Sequence, residues 1–163
     1  MMNWAVRSRH NFRSNNDAHK LSMVRMKDVT FDLVDVGEIL AFRQAMLWQN
    51  KPLDHVRVAE DDTATHICAR LDQKIIAAGS FFLSNDTARL RKLAVDPEFR
   101  GQRLGAELVT IGSQRMIAKG AKVLWCDARV ESVGFYERLG FEVDQSVFEK
   151  DGELYRRASR QLG

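Results

Sequence analysis

The stretch Phe99-Arg100-Gly101-Gln102-Arg103-Leu104-Gly105-Ala106 sets two arginines and two glycines just ahead of an amphipathic run. In front of it the alternation of Leu90, Leu93, Ala94 and Val95 predicts a strand, and Asp96-Pro97 ends that strand. A strand that feeds a Gly-containing turn into a helix start aims unpaired backbone N–H groups and the positive end of the helix dipole at one point. The chemistry that suits such a point is phosphate binding. Arg100 and Arg103 are expected to add charge-assisted contacts there, the bland alternative being a solvated helix start.

Other reactive side chains carry weaker signals. Glu60-Asp61-Asp62 precedes a strand, so it is either a solvated loop or an acidic cleft mouth that attracts a cationic substrate. His66 alternates on a strand face and is expected to be structural. Arg43 lies on or beside the apolar face of a helix, as a snorkelling side chain or a substrate contact. Cys68 and Cys126 have no CxxC partner, which argues against zinc and against a disulfide framework. Both are expected to act as buried small hydrophobes. No metal is expected.

The elements that must position these groups follow in order. Val29–Val34 reads as a first strand, and Asp35 and Glu38 have capping-box spacing for the helix behind them. Ile39, Phe42, Met46 and Leu47 share one face of that helix, widened by Leu40. Asn50-Lys51-Pro52-Leu53 ends it, and Asp54–Asp62 is a loop or a short helix. Thr65–Leu71, Lys74–Leu83 and Thr87–Val95 form a meander, because their two- and three-residue polar turns imply hairpins. The middle strand is apolar on both faces and should lie centrally. Leu104, Leu108, Ile111 and Met116 mark the core side of the next helix, which stops at Gly120. Lys122–Asp127 is the following strand, parallel to its neighbour because a helix intervenes. Ser132 opens a short helix that ends at Gly140. Phe141–Gln145 and Leu154–Arg160 close the chain.

With 163 residues, 45% hydrophobic and 29% charged, the sequence has the size and make-up of one soluble domain. The formal net charge of +3 invites a nucleic-acid reading. Its location argues against one: residues 1–22 hold Arg7, Arg9, Arg13 and Lys20 against Asp17, so the remaining body is formally neutral. That basic stretch has no apolar face and no secretory h-region, so a disordered tail, or an extension upstream of a start at Met23 or Met26, is preferred to a targeting segment. The domain is placed at 23–163. No apolar run reaches the ~18 residues of a membrane helix, and a cytoplasmic location is expected.

Two blocks now carry a family resemblance. Leu93-Ala94-Val95-Asp96-Pro97-Glu98-Phe99-Arg100-Gly101-Gln102-Arg103-Leu104-Gly105 enters a helix, and Gly134-Phe135-Tyr136-Glu137-Arg138-Leu139-Gly140-Phe141 follows one helix and one strand later. In that order they resemble the GNAT superfamily of N-acetyltransferases. The resemblance implies an α+β fold (mixed α/β): a single domain around a mostly antiparallel mixed sheet of about seven strands, split by a bulge and flanked by helices. It also implies acetyl-CoA as cosubstrate, lying between the fourth and fifth strands.

In that likeness the pyrophosphate rests on the amides of Gln102, Arg103, Leu104, Gly105 and Ala106, beside Gly101. Leu93 and Val95 offer main-chain groups to the pantetheine arm. Tyr136 matches the family's tyrosine that faces the cofactor sulfur, where a phenol can protonate the departing thiolate. The implied activity is transfer of an acetyl group to a primary amine, on a small molecule or a peptide. Homodimers are common in the family. The alternative is a non-catalytic acyl-CoA-binding sensor or interaction module.

Three positions depart from the pattern. Arg103 replaces the first glycine of the turn; as a helix-start residue it is expected to need no positive φ. Arg91 stands where many relatives carry a glutamate base, and Arg129 where they carry an asparagine. Glu60, Asp61, Asp62, His66 or a water are the remaining candidates for the base.

Overall fold

The computed structural model describes residues 25–163; the expected basic tail lies outside them. The elements are β1 (Val29–Val34), α1 (Val36–Leu47), α2 (Leu53–Val56), β2 (Thr65–Leu71), β3 (Lys74–Ser84), β4 (Thr87–Val95), α3 (Leu104–Ala118), β5 (Val123–Arg129), α4 (Val133–Arg138), β6 (Glu142–Val143), β7 (Phe148–Lys150) and β8 (Glu153–Gln161). One sheet runs in the order β1-β2-β3-β4-β5-β8-β6, and β7 pairs with β8. Every pairing is antiparallel except β4 with β5.

The meander and the parallel neighbour take the places expected for them. The sheet has eight strands where about seven were expected. The extra one is β7, joined to β8 by Asp151-Gly152 with φ of 54° and 80°. Its three residues include Glu149 and Lys150, and too few of them alternate to read as a strand. Asp35 does stand at the N-cap of α1, but its side chain makes no capping bond. Glu38 turns instead to Arg70 at 2.7 Å, so the capping box is not formed. Ser132 likewise precedes α4 without a side-chain cap.

The core lies between the sheet and α3. β3 is buried from Ile76 to Phe81, which explains why it shows no polar face. Leu104, Leu108, Val109, Gly112 and Met116 of α3 are buried against it. Gly112 lets helix and sheet approach closely, since a Cβ there would overlap the Phe81 ring. Cys68 and Cys126 are buried free thiols. Burial pushes Cys126 up to about 12, so it packs as an apolar side chain.

The feature that makes room for a site is the divergence of β4 from β5. They pair only where Thr87–Arg89 faces Val123–Trp125. Beyond Arg89 the two strands separate, while β4 stays paired to β3 as far as Val95. The free edge of β4 and the start of α3 therefore border one opening.

Candidate active site

The turn before α3 leaves backbone amides free and contains one strained position. Gly101 has φ 75°, and Arg103, the N-cap residue, has φ 64° and ψ 9°. The expectation that Arg103 avoids positive φ is thus wrong. The left-handed conformation that glycine would take without steric cost is required here, and arginine adopts it at a cost of roughly 1–2 kcal/mol. The first intrahelical bond of α3 runs from Glu107 N–H to Arg103 C=O at 3.0 Å. That leaves the amides of Leu104, Gly105 and Ala106 without intrahelical acceptors. Gly105 is buried, and a Cβ on it would stand 3.3 Å from Phe135 Cζ and 3.6 Å from Val95 Cγ2. A side chain here would press on the tip of the Phe135 ring, so glycine gives the helix start, β4 and α4 their easiest close approach.

Along β4 the register with β3 shifts: Ala78 faces Ala94 and Ser80 faces Arg91, so Lys92 and Leu93 together oppose Gly79. This is a β-bulge, and Lys92 takes φ 57° to make it. Further on, Asp96 N–H bonds Ile76 C=O at 2.9 Å, which makes Asp96 and Ile76 a hydrogen-bonded pair. Val95, opposite Ala77, is therefore in the alternate, non-bonded type of pair. Its N–H and C=O point away from β3 into the opening. Its carbonyl already accepts from Arg100 Nε at 3.3 Å.

Tyr136 closes the far side of the opening from α4. It is buried, packed edge-on to Phe135 and Phe141, with ring centroids 5.0 and 5.4 Å away. Burial, and then the neighbouring Cys126 thiol with which the hydroxyl pairs, hold its phenol well above the ordinary value. The group remains a proton donor at every physiological pH.

Two cavities fill the opening. One, of about 500 Å³, is lined by Val95, Arg100, Gly101, Arg103, Leu104, Gly105, Ala106 and Phe135. The other, of about 460 Å³, is lined by Trp48, Arg89, Arg91, Lys92, Asp127, Lys150, Asp151 and Tyr155. Leu47, Leu93, Arg129, Ser132 and Tyr136 line both, so the two cavities meet at Leu93 and Tyr136. Of the expected site residues, all but Gln102 line this pair of cavities; Gln102 lies half-buried in the turn. The residues fit a nucleotide-bearing thioester: donors and cations at one end, an apolar strand edge in the middle, and the Tyr136 side chain where the two cavities meet.

The candidate bases fare differently. Asp61 is buried and clamped by Arg43 at 2.8 and 3.2 Å, with the Val58 amide at 2.7 Å. Burial pushes its carboxyl up, but the bonds from Arg43 and Val58 outweigh this and hold it below the usual carboxylate value. His66 is buried between Ser80 Oγ at 2.7 Å and Asp61 C=O at 2.8 Å. Arg43 also donates to Ser80 Oγ at 2.8 Å. Arg43 is thus neither a snorkelling side chain nor a substrate contact, and the 60–62 cluster is no simple solvated loop: its middle acid anchors a buried polar cluster. Glu60 pairs with Arg91 at 3.7 Å and Asp62 with Arg57 at 2.6 Å. None of Glu60, Asp61, Asp62 and His66 lines either cavity.

Sequence reasoning missed Lys92, Trp48, Asp127 and Lys150. Lys92 Nζ lies 3.8 Å over the Trp48 ring, a contact between a bulge and the end of α1. Asp127, at the end of the β5 alternation, was the one with a visible signal. It accepts from Arg89 at 2.8 Å, Arg157 at 2.9 Å and Lys150 at 3.3 Å.

Comparison with known proteins bears on the family and the fold. A sequence model of the acetyltransferase (GNAT) family matches residues 33–141. The uncharacterized N-acetyltransferase YitI of Bacillus subtilis is 25% identical over 118 residues, which cover 67% of this chain and 79% of that protein. Among solved structures, Escherichia coli ElaA superposes with a TM-score of 0.67 at 20% identity, covering 80% of this chain and 98% of that one. An aminoglycoside 6′-N-acetyltransferase complexed with coenzyme A superposes with a TM-score of 0.69 at 11% identity, over 82% and 97%. At these identities the superpositions show a shared fold.

Proposed function

The chain belongs to the acetyltransferase (GNAT) family, and from that premise we propose that it moves an acetyl group from acetyl-CoA to a primary amine by direct attack in a ternary complex. One observation carries this reading: a cavity with an anion cradle and a second cavity meet at Leu93 and Tyr136, along the free edge of β4. When bound, acetyl-CoA supplies an activated thioester carbonyl.

The amides of Leu104, Gly105 and Ala106, with Arg100 and Arg103, hold the pyrophosphate. Main-chain groups of Leu93 and Val95 align the pantetheine arm as an added strand would. The Val95 N–H, turned into the opening, is positioned to meet charge that develops on the carbonyl oxygen. The attacking nitrogen forms its bond to the carbonyl carbon as the carbon–sulfur bond breaks. Tyr136 gives its phenolic proton to the departing sulfur, and the proton shed by the new amide nitrogen returns to it through solvent. Water takes the amine's proton in this reading, because Glu60, Asp61, Asp62 and His66 line neither cavity and Asp127, which does, is held by Arg89, Arg157 and Lys150.

The test is amine-dependent release of free thiol from acetyl-CoA, with Tyr136→Phe beside the parent chain. Acid catalysis of this kind is worth about 10²–10⁴-fold, so the variant should lose turnover by that order and still bind acetyl-CoA. Unchanged turnover would remove Tyr136 from the mechanism. Cofactor binding with no thiol release for any amine would favour a non-catalytic acyl-CoA-binding module.

A further inference from the structure

The acceptor side of the opening is strongly cationic, although the body of the chain carries no overall basic excess. Arg89, Arg91, Lys92, Arg129 and Lys150 line it, against only Asp127 and Asp151. Asp127 offsets one unit of this charge and leaves the lining cationic. Its carboxylate is shared among Arg89, Lys150 and Arg157. Arg91 and Arg129 meet acids only loosely, at 3.7 and 4.0 Å, and those acids, Glu60 and Glu131, are exposed. Lys92 has no carboxylate within ion-pair distance among the described residues and rests on the Trp48 ring. Burial and the charges of Arg91, Arg43 and Lys150 push its pKa down to about 8, as expected inside a positive field.

Resting on the acetyl-transfer reading, we propose that the acceptor is an amine that also bears an anionic group, carboxylate or phosphate, held by Lys92 and Arg91 at the cationic lining of this cavity. The same lining disfavours dications and polyamines, because like charge repels them from a partly desolvated wall. It also accounts for Arg91 standing where a glutamate base would serve a cationic acceptor. A positive field lowers the pKa of the acceptor's own ammonium, so the attacking nitrogen sheds its proton to water without a carboxylate beside it. Specificity and activation then come from one arrangement of charge.

The experiment compares amines matched in shape. Specificity constants are measured for 4-aminobutyrate against n-butylamine, for O-phosphoethanolamine against n-propylamine, and for agmatine. The anionic member of each pair should be favoured by about 10–100-fold, with agmatine poorest. The advantage should shrink at high salt as screening sets in and should narrow in Lys92→Met and Arg91→Gln. Comparison of the two anionic amines shows whether carboxylate or phosphate is the better match. Equal or better use of the neutral or cationic amines, or a ratio that Lys92→Met leaves unchanged, would overturn the proposal. If no amine releases thiol, acetyl transfer fails as a reading, and calorimetric titration of the chain with glutarate and with butylammonium chloride decides the anion site separately. Glutarate binding that Lys92→Met abolishes would uphold it; no binding, or preference for the ammonium, would sink it.

Discussion

Replacing Arg103 by glycine separates two roles that one residue holds together. The backbone at 103 is left-handed, φ 64° and ψ 9°, which costs a non-glycine residue roughly 1–2 kcal/mol. Glycine removes that strain and adds about 0.4–1 kcal/mol of unfolded-state entropy. The net expectation is a chain more stable by about 0.5–1 kcal/mol, or ~1–4 °C in melting temperature at this size. The same change deletes a guanidinium from the phosphate end of the cleft. Arg103 is exposed, so its ion pair with a pyrophosphate is screened, and the loss is about 1 kcal/mol, near fivefold in dissociation constant. Urea unfolding of both chains gives the first quantity, and calorimetric titration with acetyl-CoA at low and high salt gives the second. A less stable Arg103→Gly chain would refute the strained turn. Equal or tighter cofactor binding at low salt would refute the phosphate contact.

Asp61→Ala should destabilise the chain by about 3–5 kcal/mol, because it strands the buried Arg43 charge; a melting temperature within ~3 °C of the parent would contradict this. Asp61 itself has a lowered folded pKa, so its contribution is complete above its unfolded value and is lost as pH falls through the folded one. Lys92 behaves in the opposite sense. With a folded pKa of about 8, depressed by burial and by Arg91, Arg43 and Lys150, holding it protonated costs stability fully below pH 8. That penalty fades as pH rises toward its unfolded value of about 10.5. Lys92→Met should therefore stabilise the chain near neutrality and lose the gain by that upper limit; a gain independent of pH would argue for packing alone.

The fold was legible where local chemistry and tertiary packing agree. The hairpins around Asp72 and Asn85, the buried run of β3 and the stop at Gly120 all follow from short-range patterns, and the structure has positive φ at all three turns. The turn at Gly101–Arg103 was legible as well, because a strand-to-helix joint is made by consecutive residues. The cationic second cavity was not. Its lining gathers Trp48, Lys92, Asp127 and Lys150 from four separate elements, and the bulge that turns Lys92 inward leaves no mark on the alternation of β4. Arg43 and Asp61 were misread for a related reason. Each looks solvated beside its own sequence neighbours, and only their meeting across 18 residues shows that they are a buried pair. Arg103 shows the limit of propensity, since a turn held by its flanking strand and helix imposes a φ that the side chain resists.

The central claim is that the opening between β4 and β5 binds acetyl-CoA. Urea unfolding with and without acetyl-CoA tests it most directly. At about a hundred times the dissociation constant, the cofactor should raise the unfolding free energy by roughly 2.7 kcal/mol, and CoA that retains its pyrophosphate should compete for the same gain. No stabilisation at millimolar acetyl-CoA would contradict the account.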